Sequence, residues 1–287
     1  MAFYDIFDYP LTALELYRNL ETVAEFGELI RVLEILKNEN KIKEESGFFY
    51  LPEKIFSVDK RKTRFLISSK KMKRAKRIAK VLSFFPWIRF IGVCNSLGFF
   101  NAEHESDIDF FVIAKKKRMW LARFFAASLL QIFGLRPQGE NAKDKICLSF
   151  FIDENGLDIS SVALPGGDPY FARWTSWILP LYDDGIYKEF IEKNCWIKNI
   201  LPNFREQSAD LKSRKFFLPD FFEYFSNDWV DDFSKKIQLR IMPTQLKDAA
   251  ERGDGSVILG DRMIKLHLLD RRAEYKNNYE LRIKNYE

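Results

Sequence analysis

Asp107 and Asp109 are the residues whose types and spacing point most directly to chemistry. They sit in the run Ser106-Asp107-Ile108-Asp109-Phe110-Phe111-Val112-Ile113, and its apolar content predicts a strand over 107–114. Alternate side chains of a strand share a face. The two carboxylates therefore lie on one side, about 6–7 Å apart, with Ile108 and Phe110 on the other. Two carboxylates on one face repel each other and are costly to bury. A divalent cation resolves this. Mg²⁺ in particular takes oxygen ligands from one or two carboxylates, substrate phosphates and water. Upstream, a buried strand within residues 86–96 (PWIRFIGVCNS) ends at Asn95-Ser96 and turns toward a helix. Free backbone N–H groups and a serine hydroxyl at such a turn suit a phosphate.

The elements that position these residues follow from periodicity. Strand 86–96, a short loop-helix, strand 107–114, an apolar helix at about 116–133 and strand 146–152 (ICLSFFI) form a mixed α/β unit. The first 55 residues look like a small separate module. Thr12 and Glu15 form a capping box ahead of ALELYRNL, a second amphipathic helix spans about 26–39, and a hairpin turns near Ser46-Gly47. Helices followed by a hairpin is the order of a winged helix-turn-helix, although the helix from Glu28 to Lys37 carries as many acids as bases, a poor charge for a DNA groove. Beyond residue 166 the aromatic stretches YFARWTSWILPLY and FFLPDFFEYF read as helices with core aromatics. ERGDGSVILGDR reads as a turn and a short strand. The domains expected are 1–55, 56–165 and 166–287.

The stretch GVCNSLGFFNAEHESDIDFFVIA (92–114) resembles the DNA polymerase beta-type nucleotidyltransferase superfamily. That pattern is a buried strand, Gly-Gly or Gly-Ser, about 9 to 13 residues, then Asp-x-Asp/Glu among hydrophobic residues. Here Ser96 is followed by ten residues and then Asp107-Ile108-Asp109. The whole looks like bacterial proteins that join a winged-helix-like module to a nucleotidyltransferase domain. The resemblance implies an α+β fold with a polymerase-beta-like core, a mixed sheet and a helical C-terminal region. It implies transfer of a nucleoside monophosphate from an NTP to an unidentified acceptor, with two Mg²⁺ ions held by Asp107 and Asp109. Asn95 and Ser96 would bind the nucleotide, Ser96 touching the terminal phosphates. The chain departs from the pattern twice. Asn95 stands where the superfamily has its first Gly, replacing it only in part through asparagine's tolerance of left-handed backbone. The third carboxylate, which in active members lies on the next core strand, is missing from ICLSFFI. By alternation Cys147, Ser149, Phe151 and Asp153 share a face, so Ser149 takes that position, with Asp153 and Asp158 as substitutes and Asp144 a weaker one. The alternative reading is a degenerate nucleotidyltransferase fold kept as a nucleotide- or nucleic-acid-binding regulatory module.

Composition bounds the rest. The chain has 287 residues, 47% of them hydrophobic, enough for a real core. Two His and three Cys without a CxxC exclude most zinc architectures and a disulfide framework. They point to a reducing compartment, and a cytoplasmic location is expected; Met1 to Asp5 do not read as a secretory leader. The apolar stretch 119–135 contains Arg123 and Gln131, so a helix buried in the protein is expected rather than a membrane span. The net charge of +5 comes from one segment. Residues 60–80 hold eleven Lys/Arg and no acid, and without them 35 bases face 41 acids. Phe65, Met72, Ala75, Ile78, Ala79 and Leu82 give this segment the buried stripe of an amphipathic helix. Its cations suit a nucleic acid or other polyanion, or keep a solvated face soluble. His104, before the acid pair, and His267, Asp270 and Arg271 are further candidates for substrate contact.

Overall fold

The computed structural model describes residues 1–52, 58–137, 139, 141–207, 209, 211, 212 and 227–285. It is a mixed α+β protein built on a central mixed sheet. Strands β4 (Ile88–Val93), β5 (Ile108–Ala114) and β6 (Ile146–Asp153) form its middle, as their near-continuous apolar runs require. β4 and β5 are antiparallel, whereas β5 and β6 are parallel. The parallel crossover is α6 (Met119–Ile132), the apolar helix of the sequence reading. Its Arg123 is buried against a second helix, where a guanidinium N–H donates to Gln238 Oε1 at 2.7 Å. No helix among the described residues is long and apolar enough to cross a membrane.

Strands from the second half of the chain complete the sheet. β7 (Leu179–Asp183) pairs with β4, and β10 (Met263–Leu266) pairs with β6 and with β9 (Val257–Leu259). Leu179–Asp183 was expected to continue a helix. Pro180 cannot donate to a helical ladder, so α7 (Pro169–Ser176) ends and the apolar run that follows becomes a sheet strand. The expected helix at FFLPDFFEYF lies outside the described residues. Two-residue β8 (Leu211–Lys212) forms the sheet's edge beside β7.

Each face of the sheet buries a separate apolar cluster. Ile108, Phe110 and Val112 meet α4 (Val58–Leu82), α6 and α9 (Asp228–Ile241). Phe111, Ile113 and Phe150 meet α7 and α8 (Tyr187–Lys193). Residues 1–52 pack onto this second face: Phe3, Tyr4, Tyr9, Leu11 and Leu33 belong to the same cluster as Phe111 and Trp177. They form α1 (Ala2–Asp5), β1 (Leu11–Thr12), α2 (Ala13–Arg18), α3 (Phe26–Asn38), β2 (Lys43–Glu45) and β3 (Phe48–Tyr50). The Thr12–Glu15 capping box is present. Ser46 and Gly47 both have positive φ, 53° and 81°, the backbone of a two-residue hairpin turn.

Candidate functional site

The site is built where β4 ends and β5 begins. Asn95 follows β4 with φ 53°, a left-handed conformation that asparagine tolerates better than most residues. It opens α5 (Asn95–Gly98), and Gly98 lets this turn sit against α7, because a Cβ there would lie 2.5 Å from the Trp177 carbonyl oxygen. The indole N–H of Trp174 donates to Asn95 Oδ1 at 2.7 Å. That leaves the amide nitrogen as the group hydrogen-bonding Asp109. Ser96 lies beside it, its carbonyl accepting from the Asn101 N–H at 2.8 Å.

Asp107 and Asp109 are brought together with Cys147. One ligand atom from each of the three lies within 4.8 Å of the other two. Asp109 sits directly across from Cys147 in the parallel ladder. Behind the pair the floor is aromatic. Phe111 meets Phe150 edge-on at 5.3 Å, and Phe150 stacks on Trp174 at 5.2 Å. Burial beside this floor pushes both carboxyls above the usual carboxylate range, and the Asp107 charge pushes Asp109 further. Hydrogen bonds from the Cys147 thiol oppose the rise at both, helped by the Asn95 amide at Asp109 and the Lys71 ammonium at Asp107. Burial also holds the Cys147 and Cys94 thiols well above the ordinary thiol range, so both are protonated.

The loop before Asp107 is clamped by α4. Buried Lys71 donates to the carbonyls of His104 (3.1 Å) and Ser106 (2.7 Å) and to Asp144 Oδ1 (2.7 Å). Arg64 bonds Asn101 Oδ1 at 3.2 Å and pairs with Glu103. A cleft of about 610 Å³ opens over Asn95, Ser96 and Ser106 and is also lined by Arg64, Arg271 and Arg282. A smaller cavity of about 170 Å³ adjoins it at Asn95, Tyr170, Arg271 and Tyr275 and reaches Lys265 and His267.

Of the expected third-acid positions, Ser149 stays next to Cys147 but carries no carboxylate, and the three acids lie elsewhere. Ser149 shares a face with Cys147, whose side chain it hydrogen-bonds, and β6 carries an extra residue just beyond Cys147. Asp109 faces Cys147 but Phe111 faces Phe150, so two steps on β5 match three on β6. Phe151 accordingly packs in the cluster of Leu148, opposite Phe150. Ser149 Oγ lies 3.2 Å from His267 Nε2. Asp153 is opposite Ala114, about 16 Å along the strand from Asp109, and accepts from the Lys117 and Asn155 N–H groups. Asp158 is exposed and accepts from the Ser160 N–H. Asp144 is committed to Lys71. Cys147 therefore takes the place beside the pair. Its sulfhydryl in an apolar strand reads as a core residue, and only the parallel register of β5 with β6 reveals its position.

Of the other candidates, His267, Asp270 and Arg271 line the inner cavity. Asp270 is bound to Lys265 and Arg272 rather than to His267, so no Ser-His-Asp relay forms. Burial lowers His267 to a pKa of about 4, and it is neutral at pH 7. His104 is exposed and pairs with Glu105 at 2.6 Å. Lys265 and Arg272, which the sequence reading passed over, are buried beside the same cavity. Compared with known proteins, the chain matches no family model, no curated protein and no solved structure.

Proposed function

We propose that the chain is a divalent-metal-dependent nucleotidyltransferase that moves a nucleoside monophosphate from an NTP to an acceptor. The observation that carries this reading is the pairing of Asp107 with Asp109 next to Asn95, which hydrogen-bonds Asp109 and with Ser96 and Ser106 lines a cleft that Arg64 and Arg271 share. We read strands β4, β5 and β6 with their helices as a polymerase-beta-like core. The N-terminal order of helix, strand, two helices and hairpin we read as a winged-helix-like module.

The two carboxylates fit Mg²⁺, which prefers oxygen, while the Cys147 sulfur adds nothing for so hard an ion. A bound ion would neutralise phosphate charge and polarise the reacting phosphoryl group. The two carboxylates would supply oxygen ligands for one ion; a second ion would draw its ligands from the triphosphate and water. The chain's own residues then have distinct tasks. Asn95 holds Asp109 in place, Lys71 holds the Asp107 loop, and Ser96, Arg64 and Arg271 face the space a triphosphate would fill. The free cysteines accord with a reducing, cytoplasmic setting. Cys94 and Cys147 flank Asp109 from two different strands, about 10 Å apart, beyond disulfide reach.

A second reading has its own observation. Cys147 stands beside the pair where a third carboxylate would be needed, which favours a degenerate fold that binds nucleotide without turnover. Transfer of ³²P from α-labelled NTP, with Mg²⁺ or Mn²⁺ and with RNA, protein and the chain itself as acceptors, separates the two. Label transfer abolished by Asp107→Asn supports the enzyme; NTP binding without transfer supports the binding module.

A further inference from the structure

Helix α4 divides its cations between two jobs. Arg61, Arg64 and Lys71 turn inward to Glu15, Glu103 and Asp144. Lys62, Lys70, Lys73, Arg77 and Lys80 are exposed. Among the described residues no ion pair joins any of these five to an acid. With 3.6 residues per turn they fall within roughly 80° of the helix circumference and run about 27 Å along it. The buried line of Met72, Ala75 and Ala79 lies on the opposite side. A face that served only solubility would mix both signs, as the rest of the chain does with 41 acids and 35 bases.

We propose that this stripe is a docking surface for the phosphate backbone of a duplex nucleic acid, bound without regard to sequence. Charge complementarity sets the class, because a row of unpaired cations this long matches an extended polyanion rather than a single phosphate. A duplex carries one charge per ~1.7 Å of axis. A membrane surface fits less well. The apolar side of α4 is locked in the core and cannot enter a bilayer as an interfacial helix does. A single strand fits less well too, since the arc offers Leu66 but no row of aromatic rings for bases to stack on. The surface is separate from the catalytic reading. It faces away from Arg64, the α4 residue that lines the cleft, so it stands or falls independently of nucleotide transfer.

The test is fluorescence anisotropy of the full chain with a labelled duplex of three helical turns, DNA and RNA in parallel, across a salt series. Engagement of all five cations gives a log–log salt slope of about −4.5. Substituting Lys70→Ala, Lys73→Ala and Arg77→Ala together should bring the slope to about −2 and weaken low-salt binding at least tenfold. Alanine suits an exposed helix, and unchanged circular dichroism confirms the variant folds. NTP binding by that variant stays as in the wild type, and Asp107→Asn with Asp109→Asn leaves duplex binding intact. The proposal is overturned if no salt-dependent duplex binding appears, if the triple variant retains it, or if a single strand or phosphatidylserine vesicles bind as tightly and are lost with the same three residues.

Discussion

Asn95 shows how much one side chain does at this site. Its left-handed backbone turns the chain after β4, while its amide spans Trp174 and Asp109. Asn95→Ala keeps the strain and loses both bonds, so it should cost about 1–2 kcal/mol in urea unfolding. Asn95→Gly relieves the strain and should cost less, yet still loosen Asp109. His267 gives a pH signature. Its folded pKa of about 4 lies below the ordinary histidine value of 6.5, so the unfolded chain binds its proton first. The stability it confers is fully present above pH 6.5 and is lost as pH falls toward 4. The expected loss is on the order of 2–3 kcal/mol. Urea unfolding at both ends of that window should show wild type losing more stability than His267→Gln; equal losses would contradict the assignment.

At the scale of elements, the clamp and the bulge decide the geometry. Lys71→Met removes three bonds and leaves two carbonyls and Asp144 without their partner. It should destabilise by about 2–4 kcal/mol and weaken NTP binding through the Asp107 loop. Gly98→Ala should also reduce stability and NTP affinity, since its Cβ meets backbone of Trp177 rather than a yielding side chain. Much of this level was legible in the sequence. Strands β4, β5 and β6, the apolar helix α6, the basic helix α4 and the Thr12 capping box all announce themselves by period and residue type. The β6 bulge does not, because strict alternation assumes two residues per repeat and an inserted residue leaves no mark in composition. That single residue turns Phe151 and Asp153 off the face of Cys147. β7 was hidden for another reason: its aromatics continue those of α7, and only Pro180 signals the change.

Over the whole molecule, residues 1–52 share an apolar cluster with the sheet. Tyr4 and Trp177 meet at 5.9 Å, and Arg173 on α7 pairs with Glu21 at 2.6 Å. Thermal unfolding should therefore be a single transition by both calorimetry and tryptophan fluorescence; a separate early transition of the N-terminal segment would argue against it. Phe111→Ala, at the centre of that cluster, should lower stability by about 3–5 kcal/mol. Calorimetric titration of NTP into the full chain, with and without Mg²⁺, probes the acid pair beside the Asn95-Ser96 turn. The expected result is Mg²⁺-dependent binding that Asp107→Asn with Asp109→Asn weakens by at least about tenfold, a difference of about 1.4 kcal/mol. No binding at millimolar NTP, or binding indifferent to both the metal and the two aspartates, would contradict it.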